Sequence, residues 1–319
     1  MSSHKEIRLA MLGIIEGNGH PYSWSAIVNG YDPEKMAACP YPVIAQYLGR
    51  QPLDSVRISG ARVTHIWTDN PDDAVKVSAA SKIENVVASP EDVIGKVDAV
   101  IIATDDGNDH VRRVATFIEA GLPVFVDKPL AINLPDLKQF VTWQKAGAKI
   151  LSTSGLRYML ELKQINERRE EIGDMRWITS FTCKTWERYG IHALEAVYPQ
   201  TGPGFLSVQT IHQNGSDIVH LTHRSGIQIT IAAIHDAAGS FGNVHIYGVK
   251  GQLALTLRDT YTAFREQLVA FVEMLKTGFA PFPFEQTVEL MAVIIAGIRS
   301  REQNGRIVML KEIYEELPS

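Results

Sequence analysis

Apolar positions along the chain change their period near residue 154. Before that point, short runs of buried-type residues alternate with stripes at helical spacing. Ile7 to Ile15, Val63 to Thr68, Ala99 to Ala103, Val124 to Val126 and Lys149 to Ser152 read as strands. Ala99 to Ala103 is continuously apolar, as a parallel strand covered on both faces requires. Helices fall between the strands. One starts near Ser23, a short one opens at Ser89-Pro90-Glu91-Asp92, and Val111, Val114, Ala115 and Ile118 recur at i, i+3, i+4 and i+7 before Gly121. Another covers Pro135 to Ala146 and stops at Gly147. This alternation predicts an α/β, doubly wound Rossmann-type domain over residues 1–153. Residues 31–60, rich in Pro, Tyr and Gly, read as an insertion between its first two strands.

From residue 154 onward, strands come first and helices follow. Met175 to Lys184, Phe205 to His212, Asp217 to His223, Gly226 to His235, Asn243 to Val249 and Gln252 to Thr256 are the candidate strands. Ile227, Ile229 and Ile231 alternate with Gln228 and Thr230, the mark of antiparallel strands with one wet or partnered face. Phe264, Leu268, Phe271, Val272 and Leu275 form one helical stripe, and Val288, Met291, Ala292, Ile295 and Ile298 another. Residues 154–319 therefore predict an α+β domain with an open, mainly antiparallel sheet and helices on one side. The alternating sheet face predicts a homodimer or homotetramer through this domain.

A chain of 319 residues and 35.4 kDa fits two cores of this size. Its net charge of −5 offers no basic surface for nucleic acid. No apolar run approaches the roughly 18 residues needed to cross a bilayer, and MSSHKE is polar, so the expectation is a cytoplasmic protein with no membrane contact. Cys39 and Cys183 lie far apart without redox or ligand spacing, and His212, His220, His223, His235 and His245 fall on different strands. Neither a disulfide nor a metal site is expected.

Candidate chemistry gathers at one sheet edge. In an open parallel sheet, ligands bind beyond the carboxyl ends of the strands, which places Thr104 to His110 and Asp127-Lys128-Pro129 together. The first strand runs into Glu16-Gly17-Asn18-Gly19-His20, where such a domain keeps its phosphate loop. The spacing is irregular: a G-x-G-x-x-G motif counted from Gly13 meets Ile15 and Asn18 at its glycine positions, with Gly17 and Gly19 nearby. The loop reads either as a cofactor cradle or as a simple turn. Asp69, ending the second strand, reads either as the acceptor of adenosine ribose hydroxyls, favouring NAD, or as part of a solvated turn. Lys128, leaving an apolar strand just before a proline, reads as a proton-sharing site lysine or a surface ion pair.

These residues resemble the glucose-fructose oxidoreductase, inositol dehydrogenase and MocA family. The resemblance rests on a Thr-plus-His loop followed by Asp127-Lys128-Pro129, where the family has Glu-Lys-Pro. It extends through Gly155 to Tyr158, Trp186 to Glu195 and the helix around Ser300. It implies an NAD(P)-dependent oxidoreductase moving a hydride to or from a carbinol carbon of a sugar, polyol or related small molecule. Lys128, His192 and Tyr189 would be catalytic, with His192 near the start of a helix expected to begin at Ile191. Gly13, Ile15, Gly17, Asn18, Asp69, Thr104, Asp105, His110, Asp127 and Lys128 would hold NAD, with NADP as the variant. Arg157, Trp186 and Arg188 would face substrate. The family often carries aspartate four residues before this histidine; Arg188 stands there instead. Two other classes stay open: an enzyme whose tightly bound NAD assists elimination or glycoside cleavage by transient oxidation, and a non-catalytic nucleotide- or sugar-binding protein.

Overall fold

The computed structural model describes residues 6–237 and 242–318. The polar start at residues 1–5, read above for a leader, lies outside them. The first half runs β1 (Ile7–Leu12), α1 (His20–Asn29), α2 (Pro33–Ala37), α3 (Pro42–Leu48), β2 (Ala61–Trp67), α4 (Pro71–Ser81), β3 (Asn85–Val86), β4 (Ala99–Ile102), α5 (His110–Glu119), β5 (Val124–Val126), α6 (Leu134–Lys145) and β6 (Ile150–Leu151). All six strands are parallel, in the order β3-β2-β1-β4-β5-β6. This is the doubly wound order expected from the alternation, with its reversal between β1 and β4. Proline just inside the starts of α1 through α4 supplies the preset φ of a first helical residue.

Successive residues of each strand feed opposite cores. Ala10, Leu12, Val100, Ile102, Val124 and Val126 face Val114 and Phe117 of α5 and Leu137 and Phe140 of α6. Leu9, Met11, Ala99, Ile101 and Phe125 face the other way, onto Trp24 and Ile27 of α1 and Ala74 and Val77 of α4.

The second half continues with α7 (Lys163–Glu167), α8 (Arg169–Ile172), β7 (Met175–Cys183), α9 (Trp186–Thr201), β8 (Phe205–Gln213), β9 (Ser216–His223), β10 (Gln228–Ile234), β11 (Asn243–Gly248), β12 (Gln252–Thr256), α10 (Thr260–Thr277), α11 (Phe284–Glu302), β13 (Val308–Met309) and α12 (Leu310–Tyr314). Its seven strands lie in the order β12-β11-β7-β10-β9-β8-β13. Among the described residues of this sheet, only the β7–β10 pair is parallel.

Two arrangements depart from the sequence reading. First, α10 packs in space with the first domain: Phe264, Leu268, Phe271 and Val272 join the core of Leu9, Met11 and Trp24. The cut at residue 154 is a division of the chain but not of the cores. Second, α9 begins at Trp186, a full turn earlier than expected, with Thr185 as its N-cap residue. His192 and Glu195 are thus mid-helix, and α9 carries Arg188 and His192 on adjacent turns of one face. The 31–60 insertion is two short helices and a 3-10 turn, and it lies over the start of α1: a Cβ built on Gly19 would meet Ile44 Cδ1 at 2.6 Å and Tyr41 Cδ2 at 2.7 Å.

Candidate active site

The carboxyl ends of β1, β4 and β5 converge on a buried ionic cluster. Asp105 follows β4 and is 1% exposed; Asp127 and Lys128 follow β5 and are 0% and 3% exposed. Lys128 Nζ lies 3.4 Å from Asp105 Oδ2 and 3.8 Å from Asp127 Oδ1. Across the cleft, Arg188 of α9 grips the same Asp105 with both arms, Nε to Oδ2 at 2.9 Å and Nη2 to Oδ1 at 2.7 Å. Asp127 is held in turn by His20 Nδ1 at 2.5 Å and by Asn18 Nδ2 at 3.0 Å. Burial opposes the Lys128 charge, but Asp127 and Asp105 outweigh it and hold the ammonium above its ordinary pKa. Burial likewise pushes the Asp105 carboxyl up, and Lys128 and Arg188 overcome it, leaving the carboxylate ionised well below the usual range.

Tyr189 lies against this cluster. Its ring sits 5.4 Å from Lys128 Nζ, and its hydroxyl accepts a 2.8 Å hydrogen bond from Lys184 Nζ. Behind that ring stands His192, edge to face at 4.9 Å and 1% exposed, with Nδ1 2.7 Å from Ser154 Oγ. Burial pulls the His192 pKa well below 6.5, helped by the charges of Lys128 and His20, so the imidazole is neutral at pH 7.

Two cavities meet at Asp105. One, of about 280 Å³, is lined by Ile15, Asp105, Asp106, Gly107, Ile132, Glu187 and Arg188. The other, of about 340 Å³, is bounded by Gly17 to His20, Tyr41, Tyr47, Lys128, Lys184, Tyr189 and Phe264. Tyr189 is on its wall; His192 is not among its lining residues.

Other expected residues land elsewhere. Trp186 is fully buried in the second core, its Nε1 donating to Ile294 O at 3.0 Å, so the indole is packing and not a substrate contact. His110 is fully buried between the carbonyls of Thr104 (2.7 Å) and Leu130 (3.1 Å); it fixes the loop after β4 from behind, as buried Thr104 also does. Arg157 is pinned by Glu195 and by Gln286 Oε1 at 2.9 Å, with its guanidinium over Phe282. It opens on a separate cavity of about 530 Å³ with Tyr158, Lys163 and Gln200. Asp69 is gripped at 2.9 and 3.1 Å by Arg113, a residue the sequence reading passed over. His20, Lys184, Tyr41 and Ser154 were also missed, although His20 and Lys184 stand directly beside residues that were singled out.

The residues suit a dinucleotide. Gly13 closes β1 at φ +86°, and a Cβ there would fall 2.8 Å from Thr104 Cγ2, so only glycine lets the loop lie this close to the β4 end. Asp69 keeps 43% of its side chain exposed beside this turn, within the region where a ribose would lie. Among the described residues, no group of three or more His, Cys, Asp or Glu side chains is placed to hold a metal ion, and no helix is long and apolar enough to cross a membrane.

Residues 45–154 match the model of an oxidoreductase family with an NAD-binding Rossmann fold. Inositol 2-dehydrogenase of Rhodococcus erythropolis is 32% identical over 115 residues, 34% of this chain and 33% of that protein. Inositol 2-dehydrogenase 1 of Saccharopolyspora erythraea is 31% identical over 116 residues, 35% and 34% of the two chains. The alignments thus span about a third of these curated relatives. In three dimensions the likeness extends end to end. Scyllo-inositol dehydrogenase from Lactobacillus casei, solved with NAD(H) and scyllo-inositol, superposes over 96% of this chain and 100% of its own with TM-score 0.74 at 16% identity. A probable dehydrogenase from Thermotoga maritima covers the same shares with TM-score 0.73 at 18% identity. At such identities the structures establish the fold.

The His192 environment has a consequence for stability. Because the fold resists protonating this imidazole, the unfolded chain binds one proton more than the native state as pH drops below about 6.5. This contribution is complete above that pH and is lost as pH falls towards the depressed native value. Urea unfolding of the parent and of His192→Gln between pH 7.5 and pH 5, values spanning roughly the histidine range, checks it. The parent should lose more stability than the variant on acidification; parallel curves would contradict the assignment.

Proposed function

We propose that this chain, matched over residues 45–154 by the NAD-binding Rossmann oxidoreductase family, is an NAD-dependent dehydrogenase acting on a carbinol carbon of a polyol or sugar. The observation that carries the reading is the buried Lys128 at the end of β5, its ammonium favoured by Asp127 and Asp105, on the wall of a cavity it shares with Tyr189. Gly13, Ile15, Gly17, Asn18 and Asp69 would hold the dinucleotide, with Asp69 favouring NAD. Arg113, beside Asp69, is the residue through which NADP would be accommodated. Bound there, the nicotinamide supplies the hydride acceptor. Lys128 then holds the reacting oxygen by a charge-assisted hydrogen bond that strengthens as alkoxide character develops. Tyr189 Oη, fixed by Lys184, is the wall group placed to exchange the hydroxyl proton. His192 backs the Tyr189 ring and orients it. Its neutrality avoids adding a further cation beside Lys128 and Lys184. Asp105 and Asp127 keep Lys128 charged and aimed.

Assembly belongs to the same proposal. Phe181, Ala232, Ile218 and Ile211 form an apolar row in register across β7, β10, β9 and β8. Beside the row, Trp177 stacks on Tyr247 at 5.2 Å while remaining 42% exposed. Such a face supports a homo-oligomer through the second sheet.

Steady-state kinetics on a polyol and sugar panel tests the chemistry. Lys128→Met should lower kcat by roughly a thousandfold and leave NAD affinity within a few fold, and Tyr189→Phe should cost roughly a hundredfold or more. His192→Asn should cost less than Tyr189→Phe; the reverse order would return the proton to the histidine. Full turnover in Lys128→Met would remove the mechanism. Light scattering tests assembly: a dimer or larger species is expected at micromolar concentration, and a monomer would show that the apolar row stays in water.

A further inference from the structure

Two backbone N–H groups of the loop after β1 are already spent within the loop. A dinucleotide loop normally presents free backbone N–H groups at a helix start. Here the Asn18 N–H is spent on Ile15 O at 3.1 Å and the His20 N–H on Asn18 Oδ1 at 2.9 Å. A pyrophosphate held here would also draw on a source of positive charge outside the loop.

That source sits opposite the loop. A Cβ built on Gly17 would lie 3.9 Å from Arg188 Nη2 and 3.9 Å from Lys184 Nζ, so two cations of the second domain face the rim of the loop across a gap no wider than a side chain. Arg188 Nη2 also donates to the loop carbonyl of Glu16 at 3.1 Å. Among the described residues no carboxylate pairs with Lys184, whose ammonium donates to Tyr189 Oη. The two cavities that meet at Asp105 have Ile15 on one wall and Gly17 on the other. Arg188 lines the first cavity and Lys184 the second, so a ligand that occupies both lies against both cations.

Resting on the dinucleotide reading above, we propose that Arg188 and Lys184 form a cation pair that clamps the cofactor's pyrophosphate from the second domain. Arg188, which stands where the family resemblance implies an aspartate, is then a cofactor residue, and its bonds to Asp105 and Glu16 O hold it beside the phosphates. Cofactor binding in this chain draws on both domains at once.

Calorimetric titration of NAD, ADP-ribose and adenosine into the parent, Lys184→Met, Arg188→Gln and Arg188→Lys tests the pair. Thermal unfolding of each variant checks that it folds; Lys184→Met leaves the Asp105 bridge intact and stands if Arg188→Gln does not fold. Loss of one charge-assisted contact should weaken NAD and ADP-ribose about tenfold in Lys184→Met and Arg188→Gln. Adenosine, which has no phosphate, should bind all variants alike, and Arg188→Lys should recover most of the loss. ADP-ribose binding within about twofold of the parent in either neutralising variant overturns the clamp while leaving the dehydrogenase reading in place. A parent that binds neither NAD nor ADP-ribose removes both.

Discussion

One buried carboxylate ties the molecule together. Asp105 accepts from Lys128 on its own sheet edge and from Arg188 on the facing domain, with almost none of its surface exposed to water. A lone carboxylate so placed would be far too costly, and removing either cation from such a cluster typically costs about 3–5 kcal/mol. The arrangement therefore sets three things at once: the loop after β4, the direction of the Lys128 side chain, and the approach of α9 to the first domain. Lys128 stays charged because two carboxylates outweigh its desolvation. His192 stays neutral because burial and the nearby Lys128 charge deny it a proton.

Around this cluster the chain closes the cleft from the side opposite to α9. Helix α10 returns from the second half to pack Phe264 and Phe271 against the first sheet, and Phe264 then meets His20 edge-on at 5.2 Å. His20 carries that contact to Asp127. The insertion over the α1 start adds Tyr41 and Tyr47 to the same wall. The site is thus framed by segments distant in the chain, all anchored on the two carboxylates at the β4 and β5 ends.

How much of this was legible in the sequence follows from the range of the interactions. The parallel strands and the βαβ unit from Ala99 to Val126 were readable because continuous apolar runs and helical stripes are local signals, and the sheet has the order they imply. Lys128 and Asp105 were readable because strand ends in such a sheet are where ligands bind. The pairing of Arg188 with Asp105, 83 residues apart, has no periodic trace; nor has the grip of Arg113 on Asp69, nor the return of α10 to the first core. Trp186 was misread because its neighbours carry site chemistry, whereas its own indole points into the helix packing. The start of α9 was placed at Ile191, five residues late, and Gly190 lies inside the helix. There its missing side chain makes room for the Trp186 ring, whose Cε3 would lie 2.4 Å from an added Cβ.

The account stands on one chemical event, the passage of a hydride from a carbinol carbon to the nicotinamide beside Lys128. Incubating the protein with NAD and polyols deuterated at their carbinol carbons, then analysing the reduced cofactor by mass spectrometry and NMR, observes that event itself. Deuterium at the nicotinamide C4 of the NADH formed, absent in Lys128→Met, is the predicted result. A protein that binds NAD yet yields no labelled reduced cofactor with any polyol or sugar would contradict the account.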